Sequence, residues 1–306
     1  MNQEQGSELQ DLFELDAELP SDRLRGQSTR LIGFSRRFDR IHRDLRLLVD
    51  REGVERWSTK HYGKVVPLVA TVEDRYPLAI FYGDVGTGKT VTAEACADRL
   101  ARELDVSEGA LLKLSTRVRG HGMVGQMSWQ ISRAFDVLKR RAGKSRMAVL
   151  IIDEADSLAA SRGTVHSHHE DKTAVNTLIQ RIDDVRSYGG RVLVFLCTNR
   201  FDALDPAILR RAAIREEFLR PGVHERRQLF EIDCANLELR PETIAELVEL
   251  TGSDGNGKLG CTFSDLRTRL LPQALALAFP EDRKLSDEDL LMAARGLAPT
   301  PSITGL

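Results

Sequence analysis

Cysteine is scarce in this sequence: Cys96, Cys197, Cys234 and Cys261 stand far apart, and no two form a CxxC pair. That spacing argues against a disulfide framework or a thiolate zinc site and reads as four small apolar side chains in a reducing compartment. No apolar run approaches the eighteen or so residues of a bilayer-spanning helix. The opening MNQEQGSELQ is too polar for a secretory signal. Neither sign of charge prevails, with 44 Lys and Arg against 46 Asp and Glu, a net charge of -2 and a pI near 6.4. Such a balance gives no global reason to expect a nucleic-acid partner, although a local basic stripe would still serve one. The expectation is a soluble chain of the cytoplasm with no membrane contact.

What is present is organised in blocks. The chain has 306 residues, 42% of them hydrophobic, enough for one large core and one small one. Residues 1–20 hold six acids (Glu4, Glu8, Asp11, Glu14, Asp16, Glu18) and no Lys or Arg, which reads as a tail or as a peptide docking on basic residues. Residues 21–51 then hold nine arginines against four acids. Within them Leu31, Phe34, Phe38, Ile41 and Leu45 follow helical spacing and predict an amphipathic helix over about 33–52, packed on the main domain or on a neighbouring subunit. An Arg-rich block of this kind is most simply a solvated helix face.

Further along, four dense apolar runs of strand length, PLAIFYG (77–83), ALLKLST (110–116), MAVLIID (147–153) and RVLVFLCT (191–198), alternate with helical stretches near 89–104, 126–142 and 171–187. Near-continuous apolar strands alternating with helices predict an α/β domain with a parallel sheet covered on both faces. After Pro221 only helical patterns follow, near 222–235, 241–252, 263–280 and 286–296, the last opening on the cap-like Ser286-Asp287-Glu288. The expected division is an N-terminal segment over 1–59, an α/β domain over 60–220 and a small all-α domain over 221–306.

Three motifs carry chemistry. Gly83-Asp84-Val85-Gly86-Thr87-Gly88-Lys89-Thr90 matches GxxxxGK[ST] in full, between an apolar strand and a helix that continues with Val91. Glycines let backbone N–H groups turn inward around a phosphate, and the helix adds the positive end of its dipole. Lys89 would reach the β and γ phosphates of ATP, and the Thr90 hydroxyl would hold Mg²⁺. MAVLIIDEAD ends a buried strand in Asp153, suited to the metal, and Glu154, suited to polarising the attacking water. Asn199 closes LVFLCTNR, where it either senses the γ-phosphate or simply forms a turn. Eleven and twelve residues later stand Arg210 and Arg211, surface charge or an arginine finger given to a neighbouring subunit's ATP.

In this order GDVGTGKT, IIDEAD, CTNR with DPAILRRA, and a helical lid resemble an AAA+ ATPase: a P-loop NTPase large domain followed by a small lid. DEADSLAASR, AVNTLIQRIDDVR and LCTNRFDALDPAILRRAAIREEFLRP are more narrowly similar to the pachytene-checkpoint (thyroid-receptor-interactor) ATPases, which remodel HORMA-domain proteins. Where the usual signature continues Pro-Gly-Arg-Phe, this chain has Arg211-Ala212-Ala213-Ile214, close to the Arg-Ala-Asp-Ile of the HORMA remodelers. The resemblance spans roughly residues 60–280.

The resemblance implies further sites. In FSDLRTRLLP the lid arginine that contacts nucleotide (sensor 2) falls one place late, at Arg267, with Arg269 nearby. Met123-Val124-Gly125 sits where the family has its aromatic-hydrophobic pore loop; methionine keeps an apolar grip but loses the flat ring. His166, His168 and His169 invite a metal reading, yet their polar, glycine-flanked segment better suits a second pore loop. Only about 60 residues precede the core, too few for the folded N-terminal domain of the eukaryotic members. The resemblance is therefore to the minimal bacterial form, which accompanies a HORMA protein and a cGAS/DncV-like nucleotidyltransferase in anti-phage defence (CBASS). It implies a homohexamer that hydrolyses ATP with Mg²⁺ to remodel a HORMA-domain protein. Two other readings remain open on the residues: a nucleic-acid motor or loader of the transposition or replication type, and a nucleotide-gated switch that acts by assembly.

Overall fold

The computed structural model describes residues 12–114, 126–159, 169–254, 257 and 259–302, with no account of the side chains of 159 and 169–171. In chain order the elements are β1 (Phe13–Leu19), α1 (Asp22–Ser28), α2 (Phe34–Val49), α3 (Arg51–Tyr62), α4 (Leu68–Glu73), β2 (Leu78–Gly83), α5 (Lys89–Glu103), β3 (Gly109–Leu114), α6 (Gln126–Ala142), β4 (Met147–Ile152), α7 (Asp156–Ala159), α8 (His169–Val185), β5 (Val192–Thr198), α9 (Pro206–Arg211), β6 (Ile214–Phe218), α10 (Val223–Asp233), α11 (Pro241–Leu250), a π-helical stretch (Asp265–Leu270) running into α12 (Leu271–Ala278), and α13 (Asp287–Gly296).

The described residues fall into two compact units. One comprises those of Met1–Thr29, Ser35–Tyr82 and Thr90–Glu217; the other comprises those of Arg30–Phe34, Gly83–Lys89 and Phe218–Leu306. The second unit's longest stretch starts at Phe218, where the expected small domain was 221–306 alone. That unit also takes in the phosphate motif up to Lys89, and most of the expected N-terminal segment belongs to the first unit.

The sheet runs β1-β3-β4-β5-β2-β6. β3, β4, β5 and β2 are parallel, with Ala110 opposite Ala148, Leu150 opposite Val194 and Ile80 opposite Leu196. Every residue of β4 and β5 is buried, as expected of strands covered on both faces. Sequence and structure differ at the two edges. FELDAEL forms β1, antiparallel to β3 with Leu19 opposite Gly109. Its strict apolar–acid alternation leaves Glu14, Asp16 and Glu18 exposed and buries Phe13 and Leu19. Glu14 pairs with Lys113 at 3.2 Å and Asp16 with Arg141. IREEF forms β6, where Glu216 is 5% exposed and held by Arg37 and Arg40 of α2.

The amphipathic helix α2 thus packs within the first unit. It buries Phe38, Ile41, Leu45 and Leu48, each worth roughly 1.5–3 kcal/mol of hydrophobic stabilisation. Its polar face is tied to acids and bases around it, with Asp44 on Arg75 at 3.0 Å and Asp39 on Arg99 at 3.7 Å.

The second unit is helical, around Leu229, Phe230, Leu247, Leu266, Leu270 and Leu290, and Ile32 joins that core. The expected cap of α13 is a reciprocal one: Ser286 Oγ accepts the Asp289 N–H at 3.3 Å, and Asp289 accepts the Ser286 N–H at 2.8 Å. The widened π turn precedes Pro272, which has no N–H to donate and whose ring would crowd the carbonyl of Thr268 in a regular α-helix.

Candidate active site

Each chemical motif follows the carboxyl end of a parallel strand: the phosphate loop after β2, Asp153-Glu154 after β4 and Asn199 after β5. These three strands are neighbours in the sheet. In open α/β sheets that end is where ligands bind.

The loop from Gly83 to Lys89 is built for close approach. Gly83 has φ +132°, and a Cβ there would lie 2.2 Å from the Phe218 carbonyl oxygen. Gly86 has φ +70°, and a Cβ would lie 2.8 Å from Thr262 Oγ1 and Ser264 Cβ. Only glycine fits either place. Thr87 Oγ1 donates to the Asp84 carbonyl at 2.7 Å. The Lys89 ammonium is held by the carbonyls of Gly83 (3.1 Å) and Asp84 (2.6 Å), in a residue only 6% exposed. A cation fixed that deeply on a loop opening a 15-residue helix suits a bound anion. Val91, within the first turn of that helix, is 42% exposed.

In the first unit Thr90 Oγ1 donates to Asp153 Oδ2 at 2.7 Å. These are two hard oxygen donors at one point. No group of three or more His, Cys, Asp or Glu able to hold a metal occurs among the described residues. Two hard oxygens fit Mg²⁺, which is commonly held by one or two protein oxygens together with phosphates and water.

Glu154 is exposed and has φ +47°. Holding a non-glycine residue there costs on the order of 1–3 kcal/mol. The turn is fixed from both sides: Glu154 N–H donates to Asp153 Oδ1 at 2.9 Å, and Ala155 N–H donates to the Cys197 carbonyl of β5 at 2.8 Å. Thr198 Oγ1 donates to Asp156 at 2.7 Å and accepts the Arg200 N–H at 3.0 Å, which sets the turn that carries Asn199. Thr198 and Asp156 are positioning residues that the motif reading passed over; the second acid of Asp-Glu-Ala-Asp was the available signal.

The two candidate finger arginines separate cleanly. Arg211 is locked to Asp183 by a fork of 2.5 and 2.8 Å, donates to the Ala207 carbonyl at 2.9 Å and lies over the Tyr76 ring. The hydrogen bonds it donates to Asp183 hold its guanidinium above the ordinary arginine range. Arg210 is exposed on the same short helix, α9.

In the second unit Arg267 forms a fork with Asp233 at 2.5 and 3.1 Å and donates to the Arg30 carbonyl at 2.8 Å. Arg269 pairs with Asp265 at 2.9 Å. These contacts tie lid elements together and lend no support to either as a nucleotide contact. Met123, Val124, Gly125, His166 and His168, and the side chain of His169, lie outside the described residues. All four cysteines are buried, and burial pushes the Cys234 thiol up to about 11. No helix among the described residues is long and apolar enough to cross a membrane.

Fold and site together define a P-loop ATP hydrolase of the AAA class. The model for the "ATPase family associated with various cellular activities (AAA)" matches residues 79–220. CD-NTase-associated protein 6 of Escherichia coli strain KTE188 is 48% identical over 290 residues, covering 95% of this chain and 97% of its own. A chain in the structure of the E. coli MS115-1 HORMA:CdnC:Trip13 complex superposes with TM-score 0.87 at 37% identity, covering 96% of this chain and 98% of that one. Rhizobiales Trip13 gives TM-score 0.71 at 32% identity, over 95% and 100%. The chain belongs to the bacterial Trip13-like AAA ATPases that include CD-NTase-associated protein 6.

Proposed function

We propose that this protein is a ring-forming Mg²⁺-dependent ATPase that remodels a HORMA-domain protein bound to a nucleotidyltransferase in anti-phage signalling. The observation that carries the reading is its likeness, over nearly all of both chains, to a chain in a HORMA:CdnC:Trip13 complex. The 48% identity over nearly all of both chains to a CD-NTase-associated protein supports a nucleotidyltransferase partner.

In this reading the Gly83–Lys89 backbone cradles the phosphates and Lys89 neutralises them. Thr90 and Asp153 hold Mg²⁺, which supplies charge stabilisation on the transferring phosphoryl group. Glu154 takes up and orients the attacking water, and Asn199 reports the γ-phosphate. Arg210, exposed and close to the end of α9, is the finger given to the next subunit's site, and Arg211 is the strut that aims it. That division requires an oligomer, and a homohexamer is the reading adopted. Met123, Val124 and Gly125 form the apolar grip on substrate, a reading that rests on the sequence alone.

A nucleic-acid motor would draw on the arginines of α2, three of which, Arg37, Arg40 and Arg46, are already paired with acids. The deciding experiment mixes the protein with a HORMA-domain protein bound to its nucleotidyltransferase. ATP should dissociate the complex and a non-hydrolysable analogue should not. Equal dissociation with both, or with neither, would remove the remodelling assignment.

A further inference from the structure

An acid sits inside the phosphate loop. The second residue of GDVGTGKT is Asp84, and a bare carboxylate there would repel the anion the loop is shaped to hold. Its charge is compensated within the second unit. Arg220 Nε donates to Asp84 Oδ2 at 2.6 Å, with the two side chains 12% and 13% exposed. Asp84 Oδ1 accepts the Val85 N–H at 2.9 Å. The other two nitrogens of Arg220 donate to the Gly260 and Thr300 carbonyls, each at 2.6 Å. All three guanidinium nitrogens are therefore engaged, on three separate stretches of chain. The backbone of Asp84 also receives Lys89 and Thr87, so what fixes Asp84 also fixes the phosphate-binding lysine.

We propose that Arg220 is the positioning and charge-compensating residue of the phosphate loop. It cancels the Asp84 carboxylate and anchors the loop to the segments around Gly260 and Thr300, which makes affinity for a nucleoside triphosphate depend on those segments. A partly buried carboxylate left without its partner is a like charge facing the ligand, and such truncations cost about tenfold or more in affinity. The effect should be larger for ATP than for ADP, which carries one negative charge fewer.

This inference rests on the reading of Gly83–Thr90 as the ATP cradle. The test measures ATP and ADP dissociation constants, with melting curves, for the full chain and for Arg220→Ala, Arg220→Lys, Asp84→Asn and the double variant Asp84→Asn/Arg220→Ala. Arg220→Ala should weaken ATP about tenfold or more and ADP less. Arg220→Lys should fall between it and the wild type. The double variant should regain most of the lost ATP affinity. Wild-type affinity in Arg220→Ala overturns the proposal. So does an equal loss for both nucleotides that the double variant fails to recover, which is the mark of a plain structural strut. Should Arg220→Ala not fold, Asp84→Asn decides: unchanged or tighter ATP binding supports compensation, and a tenfold weakening overturns it. If the wild type binds neither nucleotide, the cradle reading fails instead.

Discussion

Thr90 and Asp153 are separated by 63 residues of sequence, yet the hydroxyl of one donates to the carboxylate of the other at 2.7 Å. The hydroxyl that ends the phosphate motif and the acid that follows β4 therefore meet, and in the proposed reading these two would hold Mg²⁺. Asp153→Ala should leave one donor of the two. ATP affinity, measured by titration with and without Mg²⁺, should depend on Mg²⁺ in the wild type and lose most of that dependence in the variant. An undiminished Mg²⁺ effect would move the metal elsewhere.

Glu154→Gln keeps size and hydrogen bonding and removes the base. The variant should bind ATP and assemble, while turnover in a phosphate-release assay falls about a hundredfold, the usual worth of a positioned general base. Near-normal turnover would take Glu154 out of that role.

Arg210 and Arg211 should fail in different ways. Arg211→Ala breaks the half-exposed fork to Asp183 and should lower stability by about 1 kcal/mol, seen as roughly 2–4 °C in the melting temperature. Arg210→Ala should melt like the wild type and lose hydrolysis. Mixing Arg210→Ala with Glu154→Gln subunits should restore some activity, because one intact site can form between them. No recovery in the mixture, with both variants co-assembled, would argue against a finger supplied by a neighbour.

Acid should weaken the lid through Asp265. Burial alone would raise its carboxyl, but hydrogen bonds from Thr300 and Thr262 outweigh that and hold it at about 2, below the ordinary 3.8. A folded value below the unfolded one means the carboxylate contributes stability in full above about pH 4, lost as the pH falls toward 2. Denaturation of wild type and Asp265→Asn across that window should show the gap between them closing as pH falls. A gap that stays constant would show that the carboxylate charge is not what matters there.

Much of this site was legible because its chemistry is local. The phosphate motif and Asp153-Glu154 are contiguous, and β2 to β5 announce themselves as apolar runs because both faces of a parallel sheet are covered. The edges were harder. In β1 the acid count masked the alternation of FELDAEL. In β6 the buried Glu216 makes sense only with Arg37 and Arg40, some 176 residues earlier in the case of Arg40. Asp183 holds Arg211, and Asp233 holds Arg267. No local pattern could reveal either partner.

The acidic opening of the chain has a consequence for how the protein behaves in bulk. β1 closes one side of the sheet, so a chain trimmed to begin at Ser21 would leave β3 with a row of unsatisfied backbone groups, a template for pairing with another molecule. The exposed Glu14, Asp16 and Glu18 mark β1 with negative charge, the kind of feature that keeps an outermost strand from recruiting another. A chain so trimmed should therefore aggregate more readily than the full one, with precipitation as the first sign.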